Sequence, residues 1–413
     1  MAALQFSPPR RAHFFDFSDD DWKQALAFSD RARLTLPLGL TCRDWLPEPV
    51  RTRIDRSFAV NAARWLRIKA AYEEIAAAFA DQGLEFVVLK GFSHCPDFAS
   101  DPRHRHQYDL DLLLPEQQVF QARDVAVRVG YQPQLDLNRY PLDHLPPMIR
   151  ATEWKWRGDY FDPEIPMSLE LHFRLWDERT ERFGPTGLDR FWERRQVRDI
   201  DGLSFAAFHT ADALAYAALH LLRHLLRGGL RPGHLYELAW FLDRHAEKSP
   251  LWSIWREWHD HSLRRLEAIC FSLAHRWFDC RLAPAALEEI DRLPSQVARW
   301  LEMYSMSPLA GLFHPNKDEM WLHWSLLDSR RDRIALLRRV VLPRRLPDPM
   351  ATAHLPERQF GWRIRIRQRW RWMVYAASRL THHARALLPT AWSGLHWFGA
   401  LPAPPKRDPL STR

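Results

Sequence analysis

Two aspartates one residue apart, Asp109 and Asp111, lie in the run Tyr108-Asp109-Leu110-Asp111-Leu112-Leu113-Leu114, which Pro115 closes. A third carboxylate, Glu170, lies in Met167-Ser168-Leu169-Glu170-Leu171-His172-Phe173-Arg174-Leu175. Both runs alternate at the period of an extended strand, so each has a fully apolar face and a face that carries acid. Asp109 and Asp111 share one side of the first strand; Ser168, Glu170, His172 and Arg174 share one side of the second. If the strands are neighbours, three carboxylates converge. Such a group repels itself unless cations neutralise it, and hard oxygen donors suit Mg²⁺ or Mn²⁺. Two such ions clamp the attacking and leaving oxygens of an in-line phosphoryl displacement. The pattern therefore points to metal-dependent phosphoryl chemistry.

Lys90 and Gly91 follow the apolar run Leu84–Leu89 and precede a segment that reads as a helix. A glycine there lets backbone approach a phosphate, a helix N-terminus favours anions, and the lysine supplies a point charge. Arg103 and Arg105 are further candidates for triphosphate contact, with Arg103 reading better as a solvated loop residue. His220 and His224 are spaced i, i+4, but no glutamate completes an H-E-x-x-H motif; they read as structural or substrate-contacting. The sequence contains no G-x-x-x-x-G-K-[ST], G-x-G-x-x-G or G-x-S-x-G, which excludes P-loop, dinucleotide-binding and hydrolase-elbow readings.

The ordered set Val88-Leu89-Lys90-Gly91, Arg105-x-x-x-Asp109-x-Asp111-Leu112-Leu113 and Glu170-Leu171-His172-Phe173 resembles a bacterial nucleotidyltransferase-like family of the polymerase-beta-like superfamily. The resemblance runs over about residues 60–245. It implies that Asp109, Asp111 and Glu170 are the catalytic, metal-binding carboxylates. It places Lys90, Gly91, Arg105 and His172 at the nucleotide and its phosphates. The implied cofactor is Mg²⁺ or Mn²⁺, and the implied substrate an NTP, with ATP the expected one. The acceptor is not named by the resemblance; a protein or peptide is one class considered. The implied fold is α+β: a small mixed-sheet nucleotidyltransferase domain with N-terminal helices and a C-terminal helical domain. The competing reading is a degenerate nucleotide- or peptide-binding accessory protein without turnover.

The positioning elements follow from periodicity. Phe58, Ala62, Trp65, Ile68, Tyr72, Ile75 and Phe79 recur at helical spacing, and Gly83 follows the end of that run. Residues 116–129 read as a helix stopped by Gly130. Glu153–Arg157 alternates like a strand, and Val197–Phe205 reads as a hairpin turning at Asp201-Gly202. Thr210 begins a helical region. The expected organisation is an irregular segment over 1–55, a nucleotidyltransferase domain over 56–206, a helical domain over 207–345 and a tail over 346–413, frayed from 387.

The net charge of +8 over 413 residues is uneven. Residues 331–413 hold 17 Lys and Arg against 4 Asp and Glu, a surplus of 13 that leaves the rest of the chain at −5. The body is thus mildly acidic, and only the tail is a candidate for an anionic membrane surface or nucleic acid. Its run Trp362–Trp372 places arginine at alternate positions among Trp and Ile. Four well-separated cysteines form no C-x-x-C pair, no segment has the length and apolarity of a membrane span, and the opening has no apolar signal core. The expected location is the cytoplasm, or the membrane periphery through the tail.

Overall fold

A computed structural model describes residues 1–7, 11–134, 143–342 and 362–399. Among these, seven strands form one mixed sheet in the order β3-β4-β5-β2-β1-β7-β6. The strands are β1 (Val87–Val88), β2 (Asp109–Leu113), β3 (Tyr131–Pro133), β4 (Met148–Arg150), β5 (Ser168–His172), β6 (Gln196–Ile200) and β7 (Leu203–Ala207). β2 and β5 run parallel in the register Asp109↔Ser168, Asp111↔Glu170, Leu113↔His172. β1 is antiparallel to β2 and parallel to β7. β6 and β7 form the expected hairpin. Its turn residues Asp201 and Gly202 both have positive φ, 50° and 79°, as a two-residue turn between twisted strands requires.

Alternation along β2 and β5 separates two environments. Leu110, Leu112, Leu169 and Leu171 face a core completed by the helices Glu48–Ala80 and Val119–Arg128. The first of these helices buries Ile54, Trp65, Ile68, Tyr72, Ile75 and Phe79, spaced to form one stripe. Trp65 also donates its indole N–H to Asp201 at 2.7 Å, tying the helix to the β6–β7 turn. The other face of β2 and β5 carries the carboxylates.

Several sequence-based expectations are corrected. Residues 1–55 are not irregular: helices span Asp19–Ala32 and Thr35–Cys42, and the next helix begins at Glu48. The missed start signal is a capping box, in which Ser18 and Asp21 exchange side-chain-to-backbone hydrogen bonds. Residues 153–157 form no strand; Trp154 instead turns its indole N–H to Asp162 at 2.9 Å, so its alternation serves loop packing. After Lys90 comes a four-residue 3₁₀ turn, Gly91–His94, too short to act as a helix N-terminus for an anion. The tail is helical over Trp362–Trp397, with Pro389 inside, so residues 387–397 are not frayed. Residues 346–361 and 400–413 of the expected tail lie outside the described residues.

The chain divides into two compact units. The first contains Met1–His220 and Arg231–Asp291; the second contains Leu221–Leu230 and the described parts of Arg292–Thr352 and Pro356–Arg413. This division differs from a boundary at 206–210. The helix Pro232–His245 accordingly lies in the first unit, where its Glu237 pairs with Arg105 in the segment leading into β2.

The principal helices are α1 (Asp19–Ala32), α2 (Thr35–Cys42), α3 (Glu48–Ala80), α4 (Val119–Arg128), α5 (Thr210–Leu226), α6 (Pro232–His245), α7 (His261–Phe278), α8 (Arg330–Val341) and α9 (Trp362–Trp397).

Candidate active site

The β2–β5 register sets Asp111 beside Glu170 on the face away from the leucine core. Asp111 is fully buried, whereas the side chains of Asp109 and Glu170 keep 22% and 20% of their exposure. The cluster thus has one inner carboxylate and two that reach solvent. Oxygens of Asp111 and Glu170 and a nitrogen of His172 all lie within 4.8 Å of one another, a spacing that one cation can bridge. Asp111 Oδ2 is buried and accepts no hydrogen bond. A buried carboxylate oxygen without a donor is costly, and a cation at that point would supply the missing partner.

Cationic side chains surround the carboxylates and bias Glu170 toward ionisation. Lys90 Nζ lies 3.1 Å from Asp111 Oδ1 and 3.8 Å from Asp109 Oδ2. His172 Nε2 donates to Asp111 Oδ1 at 3.1 Å and lies 3.7 Å from Glu170 Oε2. Burial alone would raise the Glu170 pKa. The hydrogen bond from His172 and the charge of Lys90 outweigh it and hold that pKa at about 2. The same balance works in reverse on the bases. Burial opposes charge on Lys90 and His172, but the surrounding carboxylates raise both pKa values.

The remaining sequence candidates are placed as follows. Gly91 has φ +81°, and a Cβ there would meet the Gln107 amide nitrogen at 2.2 Å. The room it leaves is therefore taken by Gln107, which donates to the Asp109 carbonyl at 2.6 Å and shapes the start of β2. Arg105 is buried and donates to Glu237 at 3.1 Å, with Asp109 further favouring its charge. Arg103 pairs with Asp101 in an exposed loop. His220 lies with its Nε2 3.4 Å from Lys90 Nζ.

Residues 18–279 match a family described as uncharacterised nucleotidyltransferase. The chain belongs to that nucleotidyltransferase family. No curated protein and no solved structure matches it.

Three residues near the nucleotidyltransferase carboxylates escaped the sequence reading. Tyr216 on α5 has a buried hydroxyl with no hydrogen-bond partner. Burial raises its pKa well above the usual phenol value, and the charges of Asp111, Glu170 and Asp109 raise it further, which locates the phenol at the acidic face. The His144 ring lies tilted against that of His172, with 4.9 Å between ring centroids. Burial and the neighbouring His172 lower its pKa to about 4, so it is a neutral ring at pH 7. Arg33, just past α1, lies by His234, and burial followed by the charge of Arg231 lowers its pKa to about 10. The available signal for the first was the pair Tyr216 and His220, spaced i, i+4 as polar interruptions in an apolar helix. Nothing local marks His144 or Arg33, because their neighbours come from distant segments.

Proposed function

We propose that this nucleotidyltransferase moves a nucleotidyl group from an NTP, ATP being the leading candidate, to an acceptor, releasing pyrophosphate. Asp109, Asp111 and Glu170 would hold Mg²⁺ or Mn²⁺, with His172 orienting Asp111 by donating Nε2–H to its Oδ1. The observation that carries the reading is the orphaned Oδ2 of Asp111 inside a register that aligns Asp111 with Glu170. When bound, the metal supplies charge neutralisation at the phosphates and acidifies an attacking hydroxyl.

The chain's own residues have separable tasks in this reading. Asp111, held by His172 and Lys90, is the fixed inner anchor; Asp109 and Glu170 face the incoming substrate. Lys90 supplies positive charge at the same edge without competing for the acceptor, because a protonated amine has no lone pair. Arg33 and Arg231 add positive potential on the approach to Asp109. A cleft of about 840 Å³ opens just past the C-terminal ends of β2 and β5, lined by Leu113, Phe173, Trp176, Asp177, Thr186 and Trp192. Crevices at the carboxyl ends of parallel strands are the usual ligand sites of open sheets, and this one is offered as the acceptor pocket.

The test is Mn²⁺-dependent pyrophosphate release from each labelled NTP in a cell lysate, compared with the Asp109→Asn/Asp111→Asn variant. Labelling of an acceptor by the parent and not by the variant supports transfer. Nucleotide binding without pyrophosphate release would instead favour the accessory-protein reading. Full activity in the double variant would place the chemistry elsewhere.

A further inference from the structure

The second compact unit carries a surface that the nucleotide chemistry does not use. α9 contains seven arginines, no lysine and no acidic residue. Along it, Ile366, Trp370, Met373, Leu380, Leu388 and Leu395 are all exposed, Trp370 by 63% and Leu388 by 80%. At 3.6 residues per turn these six fall within about 80° of arc. Exposed Ala377, Ala384 and Ala391 fill the same arc, so the stripe is apolar from Ile366 to Leu395. Its length is about 44 Å at 1.5 Å per residue. Arg369 and Arg385, both exposed, stand on its two borders.

The opposite side of α9 is fixed to its own unit. Trp321 donates to the Thr390 carbonyl at 2.9 Å, and Tyr304 donates to the Ser393 carbonyl at 2.8 Å. Gly394 permits this approach, since a Cβ there would meet the Trp321 ring at 2.1 Å. The apolar stripe is therefore the outward face of an anchored helix. A second helix repeats the pattern: α8 has five arginines and one aspartate, and exposes Ile334, Leu337 and Val341. His383 Nε2 donates to the Val341 carbonyl at 3.1 Å, and Lys317 Nζ donates to the Val340 carbonyl at 3.1 Å. The first bond joins the end of α8 to the middle of α9, and Lys317 bridges the same two helices because its Nζ also donates to His383 Nδ1 at 2.7 Å.

We propose that α9, with α8, docks the protein on an anionic lipid bilayer, lying in the interface plane with the stripe toward the acyl chains. Charge decides the occupant. Pairing with a second copy would bring two acid-free, arginine-bordered stripes together with nothing to neutralise them. Nucleic acid would satisfy the arginines but leave Ile, Leu and Met in water. A bilayer with anionic headgroups satisfies both: apolar side chains enter the boundary, and arginines at the borders meet phosphates. No described helix is long and apolar enough to cross a membrane, so the contact is peripheral.

Flotation of the full-length protein tests this, using vesicles of phosphatidylcholine alone or with about 30% phosphatidylglycerol. The protein should float with the anionic vesicles and remain behind with the neutral ones, and added salt should release it. Trp370→Glu and Leu388→Glu should each weaken partitioning by at least about tenfold. Arg369→Gln and Arg385→Gln should each weaken it roughly fivefold. All four positions are exposed, so unchanged thermal unfolding would certify the fold of each variant. Equal flotation with both vesicle types, or undiminished flotation of the variants, would overturn the proposal. So would a concentration-dependent dimer, or retention of single-stranded RNA, that the same variants disperse while the vesicles bind nothing.

Discussion

The first unit contains two histidines, each set between two carboxylates, and only one pair has the features of a site. His259 donates through Nδ1 to Glu267 at 3.0 Å and through Nε2 to Asp212 at 3.2 Å. Because carboxylates only accept, both ring nitrogens carry protons and the ring is an imidazolium. Burial opposes that charge, but Glu267 and Asp212 outweigh it and raise the pKa to about 9. The rest of the network is closed: Arg194 forks onto Asp212 at 2.6 and 2.8 Å, and Trp255 donates to Glu267 at 2.9 Å. At His172 the same residue types are left open. Its Nδ1 and Asp111 Oδ2 have no partner, and Glu170 reaches solvent. A closed network specifies packing; an open one with an exposed edge is prepared for a ligand. Residue identity does not distinguish the two; acceptor satisfaction and access do.

The largest expected effect falls on the open network. Asp111→Asn should abolish Mn²⁺ binding by calorimetry and lower turnover on the order of 10⁴-fold, since a metal contributes several kcal/mol to phosphoryl transfer. Its unfolding midpoint should fall modestly, because Lys90 and His172 lose a buried counter-charge. A variant that keeps its metal would make this network structural, like the other.

His259→Ala should act in the opposite sense, destabilising by about 3 kcal/mol in urea unfolding by breaking a buried ionic network. Mn²⁺ affinity of the folded fraction should not change. Loss of metal binding at full stability would erase the distinction between the networks.

Lys90→Ala sharpens the comparison from the substrate side. NTP affinity should fall on the order of tenfold, and Mn²⁺ should bind more tightly, because a cation 3.1 Å from Asp111 has been removed. Unchanged affinity for both would reduce Lys90-Gly91 to a turn.

The smallest effect is in pH dependence. His259 has its folded-state pKa raised, so its contribution to stability is complete below about 6.5 and is lost as pH rises through about 9. Glu170 has its pKa depressed, so its contribution is present above about 4.5 and is lost as pH falls toward 2. Urea midpoints of His259→Ala should lack the alkaline fall, and those of Glu170→Gln should lack part of the acid one. Identical profiles for the two variants would contradict the assignment.

By itself the sequence determined the two acid-bearing strands, their leucine faces, the β6–β7 turn and the long stripe from Phe58 to Phe79. Each is written in the spacing of a few consecutive residues, where period 2 or 3.6 is a local property of the backbone. The resemblance at Lys90, Arg105, Asp109, Asp111 and Glu170 pointed to the nucleotidyltransferase class of the family that matches residues 18–279. Local spacing could not align Asp111 with Glu170, which lie 59 positions apart and are paired by the parallel register. Nor could it bring Tyr216 and His220 to the acidic face, give Gln107 the space beside Gly91, or tie Arg105 to Glu237. Those depend on which segments the core brings together. The tail shows the same limit: arginines at alternate positions left the element open, and the helix α9 groups Ile366, Trp370 and Leu388 on one outward face. Only its anchoring at Trp321 and Tyr304 decides that this face, and not the opposite one, is left to solvent.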